Sequence, residues 1–152
     1  MFKKILVAVD GSEHARAALE LATRMAAEAA ATEPAVHLTV LNVISSPHVI
    51  ATELDVMPLD PRLYEGLADR LRDAAREWME AWVAQTVPTA VPCTLVLHEG
   101  YPPDEIVGQA AAGGHDLLVM GAHGRAGLRG ALVGSVTGRV LRHSPIPVLV
   151  TR

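Results

Sequence analysis

Six of the twelve glycines in this 152-residue chain fall in one short stretch, at Gly121, Gly124, Gly127, Gly130, Gly134 and Gly138. Glycine at this density between a strand-like run and a helix start lets backbone N–H groups turn inward. Those amides, with the positive end of the helix, make an anion site, and phosphate is the ligand class it implies. Ser135 and Thr137 put hydroxyls at the helix start, and His123, Arg125 and Arg129 put cationic or hydrogen-bonding groups in the same stretch. Simpler readings stand beside these: Arg129 as a solvated charge, His123 as a loop histidine turned to solvent, and Asp10 as a turn or helix-cap residue.

Two common phosphate motifs fail. Walker A requires a lysine followed by Ser or Thr after its last glycine, and no lysine lies beyond Lys4. The dinucleotide fingerprint requires G-x-G-x-x-G directly after the first strand, where this chain has Asp10-Gly11-Ser12-Glu13. His14, His37, His48, His98, His115 and His143 lack the spacing of metal ligands, so no structural zinc site is expected.

The glycine-rich segment must be held by regular elements, and the sequence marks them. Short apolar runs rich in β-branched residues predict strands at 3–9, 36–44, 92–98, 115–121 and 147–151, each buried on both faces. Ser12 can cap a helix whose inner face carries Ala15, Ala18, Leu19, Ala22 and Met25, with Arg16, Glu20 and Arg24 outside. A second helix is expected over 65–85, with Leu67, Leu71, Ala74, Trp78 and Ala81 as its buried stripe. Pro102 and Pro103 followed by Asp104 and Glu105 open a third, and the last runs over 135–143. Between 45 and 64, three prolines break any pattern, and the segment reads as a lid, a binding segment or a surface excursion. Strand-helix alternation of this kind implies right-handed crossovers and a parallel sheet covered on both faces.

Composition limits the partners. Half of the residues are apolar, which excludes disorder, and the length predicts one domain with a core of its own. Thirteen basic against seventeen acidic side chains give a net charge of −4, without the basic cluster that duplex nucleic acid needs. The lone Cys93 can form no internal disulfide and reads as a buried packing residue in a reducing compartment. No apolar stretch approaches the ~18 to 20 residues that span a bilayer, so a cytoplasmic protein without membrane contact is expected.

With the elements placed, Gly121-x2-Gly124-x9-Gly134-Ser135 falls directly after the fourth strand, and the first strand ends in Val9-Asp10-Gly11-Ser12. On these residues, and on element order over nearly the whole chain, the sequence resembles the ATP-binding branch of the universal stress protein family. The resemblance implies a three-layer α/β/α fold with a five-stranded parallel sheet in the order 3-2-1-4-5. It implies that Asp10 contacts the adenosine part, that Val9, Val43 and Met120 flank the base, and that Gly121, His123 and Gly124 approach ribose and phosphates. Gly134, Ser135, Val136 and Thr137 would hold the phosphates, with Arg125 and a Mg²⁺ ion as further sources of positive charge. The independent rule that open α/β sheets bind ligands where strand order reverses points to the same crevice, between strands one and four.

Three functions follow as alternatives: an ATP-binding regulator in stress response, a slow ATPase or phosphotransferase with Asp10 or His123 as base, and an adaptor that acts without nucleotide. Binding ranks above turnover, because no base with an orienting partner is readable. Val148, Leu149 and Val150 form an apolar strand at the chain end, and the resemblance implies a homodimer paired through it. No Phe, Tyr or Trp is expected near Asp10 or Gly121 to stack on a base, except Tyr64 or Tyr101 from a loop.

Overall fold

The apolar runs become five strands, and each but the last is followed along the chain by a helix. A computed structural model describes residues 2–29, 35–46, 49–50, 61–124 and 133–152, with 61–65 described by backbone alone. The order is β1 (Lys4–Ala8), α1 (Glu13–Ala29), β2 (His37–Ser45), α2 (Pro61–Thr86), β3 (Cys93–Gly100), α3 (Pro102–Ala112), β4 (Leu117–Gly121), α4 (Ser135–His143) and β5 (Val148–Thr151). All neighbouring strands run parallel, in the order β3-β2-β1-β4-β5, as the resemblance implied. At the carboxyl end of β1, Ala8 lies opposite Leu41 of β2 and Met120 of β4.

Right-handed crossovers decide which helix covers which face. From β1 the chain moves outward to β2 and β3, which places α1 and α2 on one side. It then returns past β1 to β4 and β5, which places α3 and α4 on the other. The first face buries Ile5, Val7, Leu38, Val40 and Val119 against the alanines of α1 and Met79 of α2. The second buries Leu6, Ala8, Leu41, Leu118 and Met120 against Ile106 and Ala110 of α3 and Val140 of α4. Ala18 and Ala22 have no exposed surface, so α1 lies close on the sheet. Ser12 caps it, its Oγ accepting the Ala15 N–H at 3.2 Å.

The expected stripe on α2 is corrected by the structure. Ala68, Ala75 and Met79 are buried, whereas Leu67 and Leu71 are 45% and 40% exposed, and Ala74 and Ala81 are exposed as well. The packed arc is offset by one residue, about 100° around the helix. The physical reason is the small side chains at 68 and 75, which let that arc approach the sheet. Trp78 sits at the boundary, half-buried and edge-on to Trp82 at 4.9 Å. Helix α2 also starts earlier than expected, at Pro61. Of the irregular stretch 45–64, positions 47–48 and 51–60 lie outside the described residues, and Val49 and Ile50 are helical. Cys93 is half-buried rather than buried, and desolvation pushes its thiol pKa up. Among the described residues no helix is long and apolar enough to cross a membrane.

Candidate functional site

Where β1 and β4 end side by side, the chain leaves them toward opposite faces, and a crevice opens at the carboxyl end of the sheet. It is a cavity of about 780 Å³, within the range of small-molecule sites. Val9, Asp10, Val43, Met120, Gly121, His123, Gly124, Gly134, Ser135, Val136 and Thr137 all line it. Arg125, the remaining expected site residue, and Arg129 lie outside the described residues.

The β1 side of the cavity is fixed by a local turn. Gly11, at φ +83°, takes a left-handed conformation that suits glycine. Asp10 Oδ1 accepts the Ser12 N–H at 3.0 Å, so the turn reading of Asp10 and its place in the cavity hold together. Ser12 Oγ, besides capping α1, lies 3.5 Å from the His123 carbonyl.

The β4 side is fixed by backbone ties. Ala122 N–H donates to Thr151 O and Gly134 N–H to Ala122 O, both at 2.7 Å. The start of α4 is thus held against the end of β4. Ser135, Val136 and Thr137 are the first three helical residues, so their N–H groups have no partner one turn back. Gly134, the N-cap, supplies no side-chain cap, and Arg142 and His143 in the last turn complement the helix dipole at its other end. The Thr137 hydroxyl donates to Gly121 O at 2.9 Å. What Thr137 offers a ligand is therefore its N–H and its hydroxyl oxygen.

The three motif glycines differ in what a side chain would meet. At Gly121 a Cβ would press on the His14 backbone carbon at 2.8 Å and the Ala15 nitrogen at 3.0 Å, so this glycine lets α1 pack on β4. At Gly124 it would come within 2.6 Å of Asp10 Oδ2, so this one accommodates the carboxylate. At Gly134 it would find only ordinary contacts, the nearest being Ala122 O at 3.5 Å. Among the described residues nothing requires glycine there, which leaves the space for a ligand.

Two features of the cavity wall escaped the sequence reading. Trp78 of α2 lines the cavity together with Leu71 and Ala74, so an indole is present where no aromatic residue was expected. These three belong to the arc that periodicity assigned to the core. Tyr101 instead lies against the Arg139 guanidinium, 5.3 Å from its ring centre, and the Tyr64 side chain lies outside the described residues. The second is Asn42 of β2, whose Nδ2 donates to Val9 O at 2.7 Å. A polar residue within a mostly apolar run was its only signal. His14 also approaches the site, its ring centre 5.5 Å from that of His123. The arrangement can hold an anion at the α4 amides and a flat apolar group deeper in.

Comparison with known proteins agrees with this architecture. The universal stress protein family profile matches residues 1–152. A universal stress protein of Thermus aquaticus is 32% identical, with both chains covered in full. Universal stress protein MJ0577 of Methanocaldococcus jannaschii is 30% identical over all of this chain and 96% of its own. The solved structure of MJ0577 superposes with a TM-score of 0.82 over 99% of this chain and 96% of that one. An Arabidopsis thaliana family protein with AMP bound shares the fold at 20% identity and a TM-score of 0.63, with 98% of this chain and 90% of that one covered. The profile match over the full length, on a sheet of the expected order, leads to one conclusion: the chain belongs to the universal stress protein family.

Proposed function

We propose that this protein binds ATP across the carboxyl end of its sheet and acts as a nucleotide-dependent regulator in stress response. The observation that carries the reading is the start of α4, where three successive amides without helical partners open beside a glycine whose missing side chain leaves room. Amides so placed hold phosphate oxygens, and the helix dipole favours their charge. The base would lie toward β1 and β2, flanked by Val9, Val43 and Met120, with Asp10 at the adenosine part. His123 and Arg125 would meet the phosphates, and Mg²⁺ would add positive charge there. The Arabidopsis protein with AMP bound shows that this fold accommodates an adenine nucleotide.

Binding is favoured over turnover because the cavity and the amides at the start of α4 account for holding a ligand, while Asp10 serves the turn after β1 by accepting the Ser12 N–H. In-line attack needs, in addition, a base aligned on the nucleophile. The regulator would work as a homodimer in which Val148, Leu149 and Val150 of β5, the last strand of the sheet, pair with a second copy.

Calorimetric titration with ATP and Mg²⁺ tests the reading. Saturable binding of one nucleotide per chain is expected, and no heat up to millimolar nucleotide overturns it. Light scattering at micromolar concentration tests the dimer, which a strict monomer would refute.

A further inference from the structure

We infer that Asn42 reads the purine base: its Oδ1 accepts a hydrogen bond from the exocyclic amine of adenine and disfavours a keto oxygen at the same ring position. This assignment rests on the nucleotide reading of the cavity and names a specificity residue within it.

Asn42 lies one residue beyond Leu41, the last β2 residue paired with β1, and so stands where β1 ends. It is 7% exposed, and the surface it retains is part of the cavity wall. Its amide orientation is fixed by chemistry. Nδ2 sits 2.7 Å from Val9 O, and a carbonyl can only accept, so the NH₂ group must face it and Oδ1 must face away. Among the described residues no group donates to Oδ1. With Asn42 on the cavity wall, a ligand that reaches this nearly buried amide oxygen either satisfies its lone pairs or strips their water without compensation.

Position selects the group that satisfies it. The α4 amides follow β4, and Asn42 is on β2, with β1 between them. A nucleotide whose phosphates lie at α4 therefore directs its base, the far end of the molecule, to Asn42. The wall around it is apolar, with Val9, Ala74 and Trp78 among the lining residues, which suits a flat heterocycle. An acceptor among such neighbours selects a ring edge that carries an N–H donor. Adenine has one on its amine, whereas hypoxanthine has at that carbon a carbonyl oxygen, which repels Oδ1, and carries its own N–H on the neighbouring ring nitrogen instead. A site built around one hydrogen-bonding group rejects the analogue that lacks it more strongly than an apolar pocket can.

The test is calorimetric, with ATP, ITP and purine riboside triphosphate, which has no substituent at that carbon, against the wild-type protein and Asn42→Leu. Wild type is expected to bind ATP at least about tenfold more tightly than ITP, with purine riboside triphosphate between them, and Asn42→Leu to bring ATP and ITP within about twofold. Equal wild-type affinities for ATP and ITP overturn the assignment while leaving the nucleotide site standing, as does undiminished discrimination in Asn42→Leu. Should Asn42→Leu fail to fold, a crystal structure of the wild-type ATP complex decides. Oδ1 within about 3.2 Å of the amine nitrogen supports the assignment, and any longer separation refutes it. If wild type binds none of the three, the nucleotide reading falls and this assignment with it.

Discussion

The two ends of the sheet use the same kinds of residue, glycine, histidine and aspartate, for opposite purposes. At the amino end Asp116, His115 and Gly113 are turned on other parts of the chain. Asp116 accepts the backbone N–H groups of Lys3 and Lys4 at 2.7 and 3.1 Å, and Lys4 Nζ donates to Gly113 O at 2.6 Å. His115 Nδ1 meets Gln109 O at 3.1 Å, and a Cβ on Gly113 would overlap the His115 ring. At the carboxyl end Asp10 and Ser12 satisfy each other within one turn, and the α4 amides are left to the cavity. At the amino end Asp116 and Lys4 tie the start of β1 to the turn before β4, whereas at the carboxyl end the α4 amides remain for a ligand.

One methyl group added at different glycines separates fold from site at the open end. Gly121→Ala drives Cβ into the α1 backbone, which cannot move like a side-chain tip. We expect a loss of about 3 kcal/mol, the upper part of the overpacking range, or roughly 10 °C in Tm, read by thermal denaturation. Gly134→Ala meets only ordinary contacts in an extended N-cap, so its stability cost is at most about 1 kcal/mol. Its Cβ occupies the space proposed for phosphate, and ATP affinity should fall about tenfold or more, equivalent to about 1.4 kcal/mol, by titration. If Gly134→Ala instead binds ATP normally, the α4 amides do not hold the phosphates.

How much of this was legible from sequence depends on which interaction sets each feature. The strands were readable because burial on both faces demands unbroken runs such as Ile5, Leu6 and Val7. Ser12 was readable because capping is local chemistry. The glycine cluster was visible as a phosphate site, but not the separate duties of Gly121, Gly124 and Gly134, since those depend on His14, Asp10 and Ala122 approaching from elsewhere. The α2 stripe was misplaced because two adjacent arcs both carry apolar residues at helical spacing. Only tertiary packing chooses the alanine arc for the core and leaves Leu71 and Trp78 on the cavity wall.

The closed end should show itself through pH. His115 is 5% exposed, and its buried Nε2 has no hydrogen-bond partner among the described residues. Desolvation holds its pKa below the ordinary 6.5, against a smaller opposing effect of the hydrogen bond to Gln109 O. The folded state therefore binds this proton less readily than the unfolded state. The stabilisation is present above about pH 6.5 and is lost as pH falls toward the lowered folded value. Urea denaturation between pH 7.5 and 5 should show wild-type stability falling on acidification, with a shallower slope in His115→Leu. Equal slopes would mean that the ring takes up its proton without hindrance.

The smallest effect expected is optical, and it bears on whether α2 belongs to the open end at all. The chain has two tryptophans. Trp78 lines the cavity, whereas Trp82 packs on the first core with the Arg16 guanidinium 4.9 Å from its ring centre. A nucleotide filling the cavity displaces water from the Trp78 indole and reaches Trp82 only through the edge contact between the two rings. ATP should therefore shift or quench the emission of the wild type and of Trp82→Phe by a few tens of per cent at most, and leave Trp78→Phe unchanged. Titration heat in Trp78→Phe provides the control that binding persists. A full optical response in Trp78→Phe would place the ligand away from α2, and would confine the open end to β1, β4 and the start of α4.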